Sequence, residues 1–206
     1  MQANGCALYA LQALSLLTSA LTRLEVGDVS VVAFGGATGA RVLHPLSTPW
    51  TDAAAARTLA QLRFDADNTL VDTPVLDLIA TMGGVLQRER AARTRPALSA
   101  HADLSQLLLI VADGHFHERD AVRRAVRIAT GSGQGGNGLL IVFIILDTEK
   151  ESVLELQSVS FQGGQPVFKR YLDGFPFPYY LVLRDIEHLP RLLADLIRQW
   201  LQLCAA

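Results

Sequence analysis

Gln106-Leu-Leu-Leu-Ile-Val-Ala-Asp-Gly-His-Phe-His-Glu118 is the stretch whose reading decides the fold. Leu107 to Ala112 is an unbroken apolar run of strand length with no polar face, as a strand covered by helices on both sides requires. It stops at Asp113-Gly114, where the glycine lets the backbone turn sharply. Leu139 to Leu146 is a second run of the same kind, and Tyr180 to Leu183 reads as the last strand. Helical periodicities lie between these runs. Alternation of strands with helices predicts an α/β fold, an open and mostly parallel sheet with helices on both faces. Ligands of such sheets bind beyond the carboxyl ends of strands. The positions after Phe34, Ala112 and Leu146 are therefore the ones to search.

Outward from that frame, Leu11, Leu14, Leu17, Leu21 and Leu24 recur at helical spacing opposite Gln12, Ser15, Ser19 and Thr22, an amphipathic helix over Ala7 to Leu24. Val29 to Phe34 reads as a strand, Gly35 to Gly39 as a turn, and Arg41 to His44 as a returning edge strand. Asp52 to Leu62 is helical, capped by Thr51 or Asp52. Pro74 opens a helix whose apolar face is Val75, Leu78, Ile79, Met82, Val85 and Leu86. Arg88 to Asp103 reads as a connection of mixed charge. Glu118 to Ala129 is a helix that buries Val122, Ala125, Val126 and Ala129 and exposes Arg119, Arg123, Arg124 and Arg127. A short helix is expected near Glu149 to Leu156, then strands at Ser158–Phe161 and Pro166–Lys169. Asp185 caps a final helix that turns Ile186, Leu189, Leu193, Leu196, Ile197 and Trp200 inward.

The chain of 206 residues is half apolar and 18% charged, with net charge −2. One well-buried domain fits these values, and a broad electrostatic footprint for nucleic acid does not. Cys6 and Cys204 form neither a metal spacing nor a disulfide framework, which suits a reducing compartment. Met1 to Leu11 has no Lys or Arg, unlike a secretory leader. No run reaches the ~20 apolar residues that span a bilayer, so a soluble protein is expected.

Three motifs invite chemistry. Arg63-Phe-Asp-Ala-Asp-Asn-Thr-Leu-Val-Asp-Thr-Pro74 looks like the nucleophile loop of haloacid dehalogenase-like phosphatases, with Asp65 as nucleophile and Asp67 as acid/base. Such a nucleophile must end a buried strand, whereas the residues upstream are helical. The enzyme's lysine should precede its second acidic site, yet the first lysine, Lys150, follows Asp113. His115 and His117 suggest a zinc pair that no third ligand at the usual spacing completes. Gly131-Ser-Gly-Gln-Gly-Gly-Asn-Gly138 follows a helix and opens a strand, the reverse of a phosphate loop, and reads as a linker. Asp113-Gly114 is a ligand position or an ordinary turn. Asp147-Thr148 reads as a helix cap.

Several pieces together resemble the C-terminal domain of the midasin family, the dynein-related AAA ATPases of large-subunit ribosome assembly. They are Leu24-Glu-Val-Gly27, Asn68-Thr69, Ile110 to Glu118, Tyr171-Leu-Asp-Gly-Phe-Pro-Phe-Pro-Tyr-Tyr-Leu-Val-Leu-Arg184 and Leu189 to Trp200. The resemblance implies a single von Willebrand factor A-type domain over residues 1–206, with a metal-ion-dependent adhesion site. Thr69 (alternatively Thr73) and Asp113 would be Mg²⁺ ligands, and Asn68, Gly114 and His115 would meet the partner. The implied partners are ubiquitin-like domains of WD-repeat assembly factors, the pre-60S particle and the family's AAA ring, with no direct nucleic-acid or membrane contact. The implied location is the nucleus, in nucleolus and nucleoplasm, and the implied role is a grip with no chemistry of its own. No DxSxS motif occurs in the sequence, and Met1 matches the position just after it. Weak or absent Mg²⁺ binding and a missing first central strand are therefore expected. Strands near Val29–Phe34 and Gln106–Ala112 should then face a gap or pair with each other.

Overall fold

The computed structural model describes residues 6–25, 27–35, 39–64, 74–94, 105–116, 118–131, 138–147 and 152–205. The elements run α1 (Cys6–Arg23), β1 (Val31–Ala33), β2 (Arg41–His44), α2 (Asp52–Ala60), α3 (Pro74–Thr94), β3 (Gln106–Ala112), α4 (Arg119–Thr130) and β4 (Leu139–Leu146). They continue with β5 (Gln157–Gln162), β6 (Gln165–Arg170), a 3-10 turn (Tyr171–Gly174), β7 (Tyr180–Leu183), a second 3-10 turn (Ile186–His188) and α5 (Leu189–Ala205).

The centre is a three-stranded parallel sheet in the order β3-β4-β7. Alternation along β4 sends Ile141, Phe143 and Ile145 into one core cluster and Val142, Ile144 and Leu146 into the other. The first cluster is closed by Leu78, Ile79 and Met82 of α3 with Val122 and Val126 of α4. The second is closed by Ala10, Ala13 and Leu17 of α1 with Leu189, Leu193 and Ile197 of α5. Helices thus cover both faces, as the apolar runs require.

Two antiparallel pairs complete the set. β1 pairs with β2, and β5 with β6 through a Gly163-Gly164 turn in which both glycines have positive φ. That geometry suits a two-residue hairpin, because its twist matches the flanking strands. β1 and β3 are not bonded to each other. Among the described residues, β3 has no strand partner on the side away from β4.

Several expectations are corrected. α3 continues through Arg88 to Thr94, where a connection was expected. The mixed charges there sit on good helix formers with no Gly or Pro, and Arg88 Nε donates back to the Gly84 carbonyl. The buried stripe of α1 is Cys6, Ala10, Ala13 and Leu17, rotated from the leucine stripe, and Leu24 lies exposed beyond the helix end. Small side chains let that helix approach the sheet closely. Residues 152–156 form a turn where a short helix was expected, because Asp147 claims its backbone. Arg119 and Arg123 are drawn inward to the carbonyls of Tyr171 and Gly174, where solvated charges were expected.

Asp147 anchors a buried polar knot. Its side chain is fully buried at the end of β4. Oδ1 accepts from the Val153 amide at 2.8 Å, and Oδ2 accepts from Ser152 Oγ at 2.8 Å and Arg184 Nε at 2.9 Å. The knot ties the ends of β4 and β7 to the turn that follows. Removing one member of a buried, hydrogen-bonded charge pair is costly because the remaining groups lose their partners. Asp147→Ala is expected to lower unfolding free energy by roughly 2–3 kcal/mol, and Arg184→Lys by about 1 kcal/mol, in urea titrations.

Candidate functional site

Three strands of the parallel sheet end in or beside an aspartate: Asp113 after β3, Asp147 after β4, and Asp185 just beyond β7. Asp147 is locked in its knot. Asp185 accepts from the Glu187 amide and starts the turn into α5. Asp113 keeps 38% of its side chain in solvent, and His115 keeps 43%. The Asp113 carboxylate lies 3.4 Å from the His115 amide and 3.9 Å from His115 Nδ1.

The loop carrying Asp113 is held from behind. Gly114 has φ +78, and a β-carbon there would lie 3.1 Å from Ile145 Cγ2, so the turn needs glycine for both conformation and space. The Tyr171 hydroxyl donates to the Gly114 carbonyl and accepts from the Phe116 amide, both at 2.9 Å. Burial pushes the Tyr171 phenol up, against the smaller opposing effects of the Phe116 amide and Arg119, so it remains a proton donor at neutral pH. Arg119 lies over the Tyr171 ring, 4.4 Å from its centroid, and donates to its carbonyl. Phe116 packs edge-on against Phe143, with Phe175 and Phe177 beside it. A solvent-facing carboxylate therefore stands on a backbone that is fastened at Gly114 and Phe116.

Burial pushes the Asp113 carboxyl up, but the side chain, backbone amide and charge of His115 outweigh it, and the net pKa lies below the ordinary value. The carboxylate is thus an anion at neutral pH, a hard oxygen donor suited to a cation.

Of the expected metal ligands, Asp113 sits where the sequence put it, at the carboxyl edge of the sheet. Thr69, its alternative Thr73 and the partner-contact residue Asn68 lie outside the described residues, as do Asp65, Asp67 and His117. Gly114 is buried behind the loop and His115 exposed on it. Among the described residues, no group of three His, Cys, Asp or Glu is placed to hold a metal. The dehalogenase-like reading loses its strand, since α2 ends at Ala60 and residues 61–64 are not a strand. Sequence reading missed Tyr171, Arg119 and Arg184. Their partners lie tens of residues away, and only the quoted run from Tyr171 to Arg184 pointed to that region. His44, one of the scattered histidines, is buried, bonded to the Thr48 carbonyl and edge-on to Trp50.

Two outcomes are expected. In a carboxyl NMR titration Asp113 titrates below the usual carboxylate range, and His115→Ala moves it upward because burial is then less opposed. The stability from this contact is present above the unfolded pKa of about 4 and is lost as pH falls through the lowered folded value. Gly114→Ala is expected to cost about 1–2 kcal/mol of stability in urea titrations, through left-handed strain and contact with Ile145.

No protein-family profile matches the chain. Midasin of Giardia intestinalis is 37% identical over 199 residues, covering 94% of this chain and 4% of that protein. Midasin of Dictyostelium discoideum is 28% identical over 198 residues, covering 95% of this chain and 3% of that protein. The chain thus spans only a few per cent of the length of these relatives. No helix among the described residues is long and apolar enough to cross a membrane. Over nearly its whole length, this chain is homologous to one short segment of midasin.

Proposed function

We propose that the chain is a protein-gripping module of a midasin-like ribosome-assembly ATPase, built as a von Willebrand factor A-type domain without chemistry of its own. The observation that carries this reading is Asp113, a solvent-facing carboxylate at the carboxyl end of a parallel strand, in a chain homologous to a midasin segment. Its donor chemistry fits Mg²⁺, a hard ion that takes oxygen ligands. The described residues supply one such oxygen group, and Thr69 is the second ligand assigned to the site. Bound there, Mg²⁺ would supply positive charge for a carboxylate of the partner to complete. Asp113 would hold the ion at the exposed end of β3, while the Tyr171 hydroxyl fastens the loop beneath it at Gly114 and Phe116. Of the residues assigned to partner contact, His115 is the described one that stands exposed beside Asp113. The partners proposed are ubiquitin-like domains of WD-repeat assembly factors on the pre-60S particle, in the nucleus, with force supplied by the AAA ring of a full-length relative.

The sequence holds no DxSxS oxygens, so this chain by itself is expected to bind Mg²⁺ weakly or not at all. Isothermal titration checks this, and a micromolar constant would contradict it. Capture of a ubiquitin-like domain at high Mg²⁺ is expected to vanish with EDTA and with Asp113→Asn. Capture indifferent to EDTA and to Thr69→Ala would replace the grip with an intra-protein scaffold.

A further inference from the structure

The β5–β6 ribbon stands apart from both cores. None of its described residues between Gln157 and Arg170 is buried, and none belongs to either apolar cluster. A two-stranded ribbon is marginal by itself, so its position is set at its two roots. On the β5 side, the turn before the ribbon is held by the Asp147 knot through the Val153 amide. On the β6 side, the chain passes directly into Tyr171, whose amide donates to the Leu156 carbonyl at 2.9 Å. The first root is sealed onto the sheet. The second is a residue whose side chain is fastened elsewhere.

Those fastenings converge on one loop. The Tyr171 hydroxyl donates to the Gly114 carbonyl and accepts from the Phe116 amide, both at 2.9 Å, immediately after Asp113. Arg119 covers the ring and donates to the Tyr171 carbonyl, so ring and backbone are held as one piece. Behind the loop Ile145 leaves little room, since a β-carbon on Gly114 would lie 3.1 Å from its Cγ2. The loop cannot yield towards the sheet, and a shift of Tyr171 must move it or break both hydrogen bonds. We infer that the β5–β6 ribbon is a lever on the Asp113 loop, with Tyr171 as the link. Holding the ribbon holds the loop, and freeing the ribbon loosens it. As control of the gripping site this rests on the reading of Asp113 given above, but the link itself needs no metal. Tyr171 is thus a positioning residue, acting through the backbone of the loop.

The experiment is amide hydrogen exchange of the whole chain in EDTA, so that a failure of Mg²⁺ binding leaves the result untouched. The ribbon is freed by replacing Ser158–Lys169 with a Gly/Ser segment of equal length, which forms no ladder. Exchange at His115 and Phe116 should quicken about fivefold or more, with β4 unchanged. In the Tyr171→Phe background, which keeps the ring and lacks the hydroxyl, the same replacement should add less than about twofold, because the link is already cut. Gly163→Val with Gly164→Val gives a second, milder release at the tip, where both glycines have positive φ and a β-carbon meets nothing within 4 Å. Should the replaced chain fail to fold, that pair is judged by the same criteria. The inference is overturned if loop exchange is unchanged, or if Tyr171→Phe leaves the ribbon's effect at full size. It is also overturned if β4 quickens equally, since the whole fold would then have been weakened.

Discussion

Strand β4 carries Ile141 to Leu146 out of water in unbroken succession, and each layer of the molecule is built against one side of it. β3 and β7 take its two edges, α3 and α4 one face, and α1 and α5 the other. Such a strand has no tolerance for a polar side chain, because every direction from it ends in packed hydrocarbon. The cost of that arrangement appears at its carboxyl end, where the chain must leave the core. Asp147 handles the exit by binding the departing backbone and Arg184 at once. Where β4 ends in a sealed knot, the neighbouring β3 ends in a loop whose carboxylate faces solvent.

The loop after β3 is open but not loose. Tyr171, which follows the β5–β6 ribbon directly, reaches across to hold Gly114 and Phe116. One residue thereby links the root of the ribbon to the rim that carries Asp113.

Much of this was legible in the residues. β2, β3, β4 and β7 have the expected bounds because apolar runs between turn formers leave little choice of ends. Pro74 and Thr51 marked helix starts through their own chemistry, one lacking an amide proton and the other offering an oxygen to Ala54. Charge misled in Arg88 to Thr94, where side chains that resemble a solvated loop are also good helix formers. Size misled in α1, where the closest packing belongs to Ala10 and Ala13 rather than to the more numerous leucines. Asp113 was legible from its place after a buried strand. Its support was not, since the Tyr171–Gly114 bond spans 57 positions and leaves no local pattern.

The registers of β3 and β7 on β4 have a mechanical meaning. β3 pairs along nearly the whole of β4, whereas β7 meets only Phe143 to Leu146. All three strands point the same way, so tension entering at the lower ends of β3 or β4 and leaving above β7 would run along the ladders. Hydrogen bonds loaded in that direction share the strain and must slide together, unlike the stepwise peeling of a hairpin pulled at its ends. The shorter overlap at β7 would be the first to slip. The Asp147–Arg184 clasp sits directly beyond that overlap, where it bears on the slip itself.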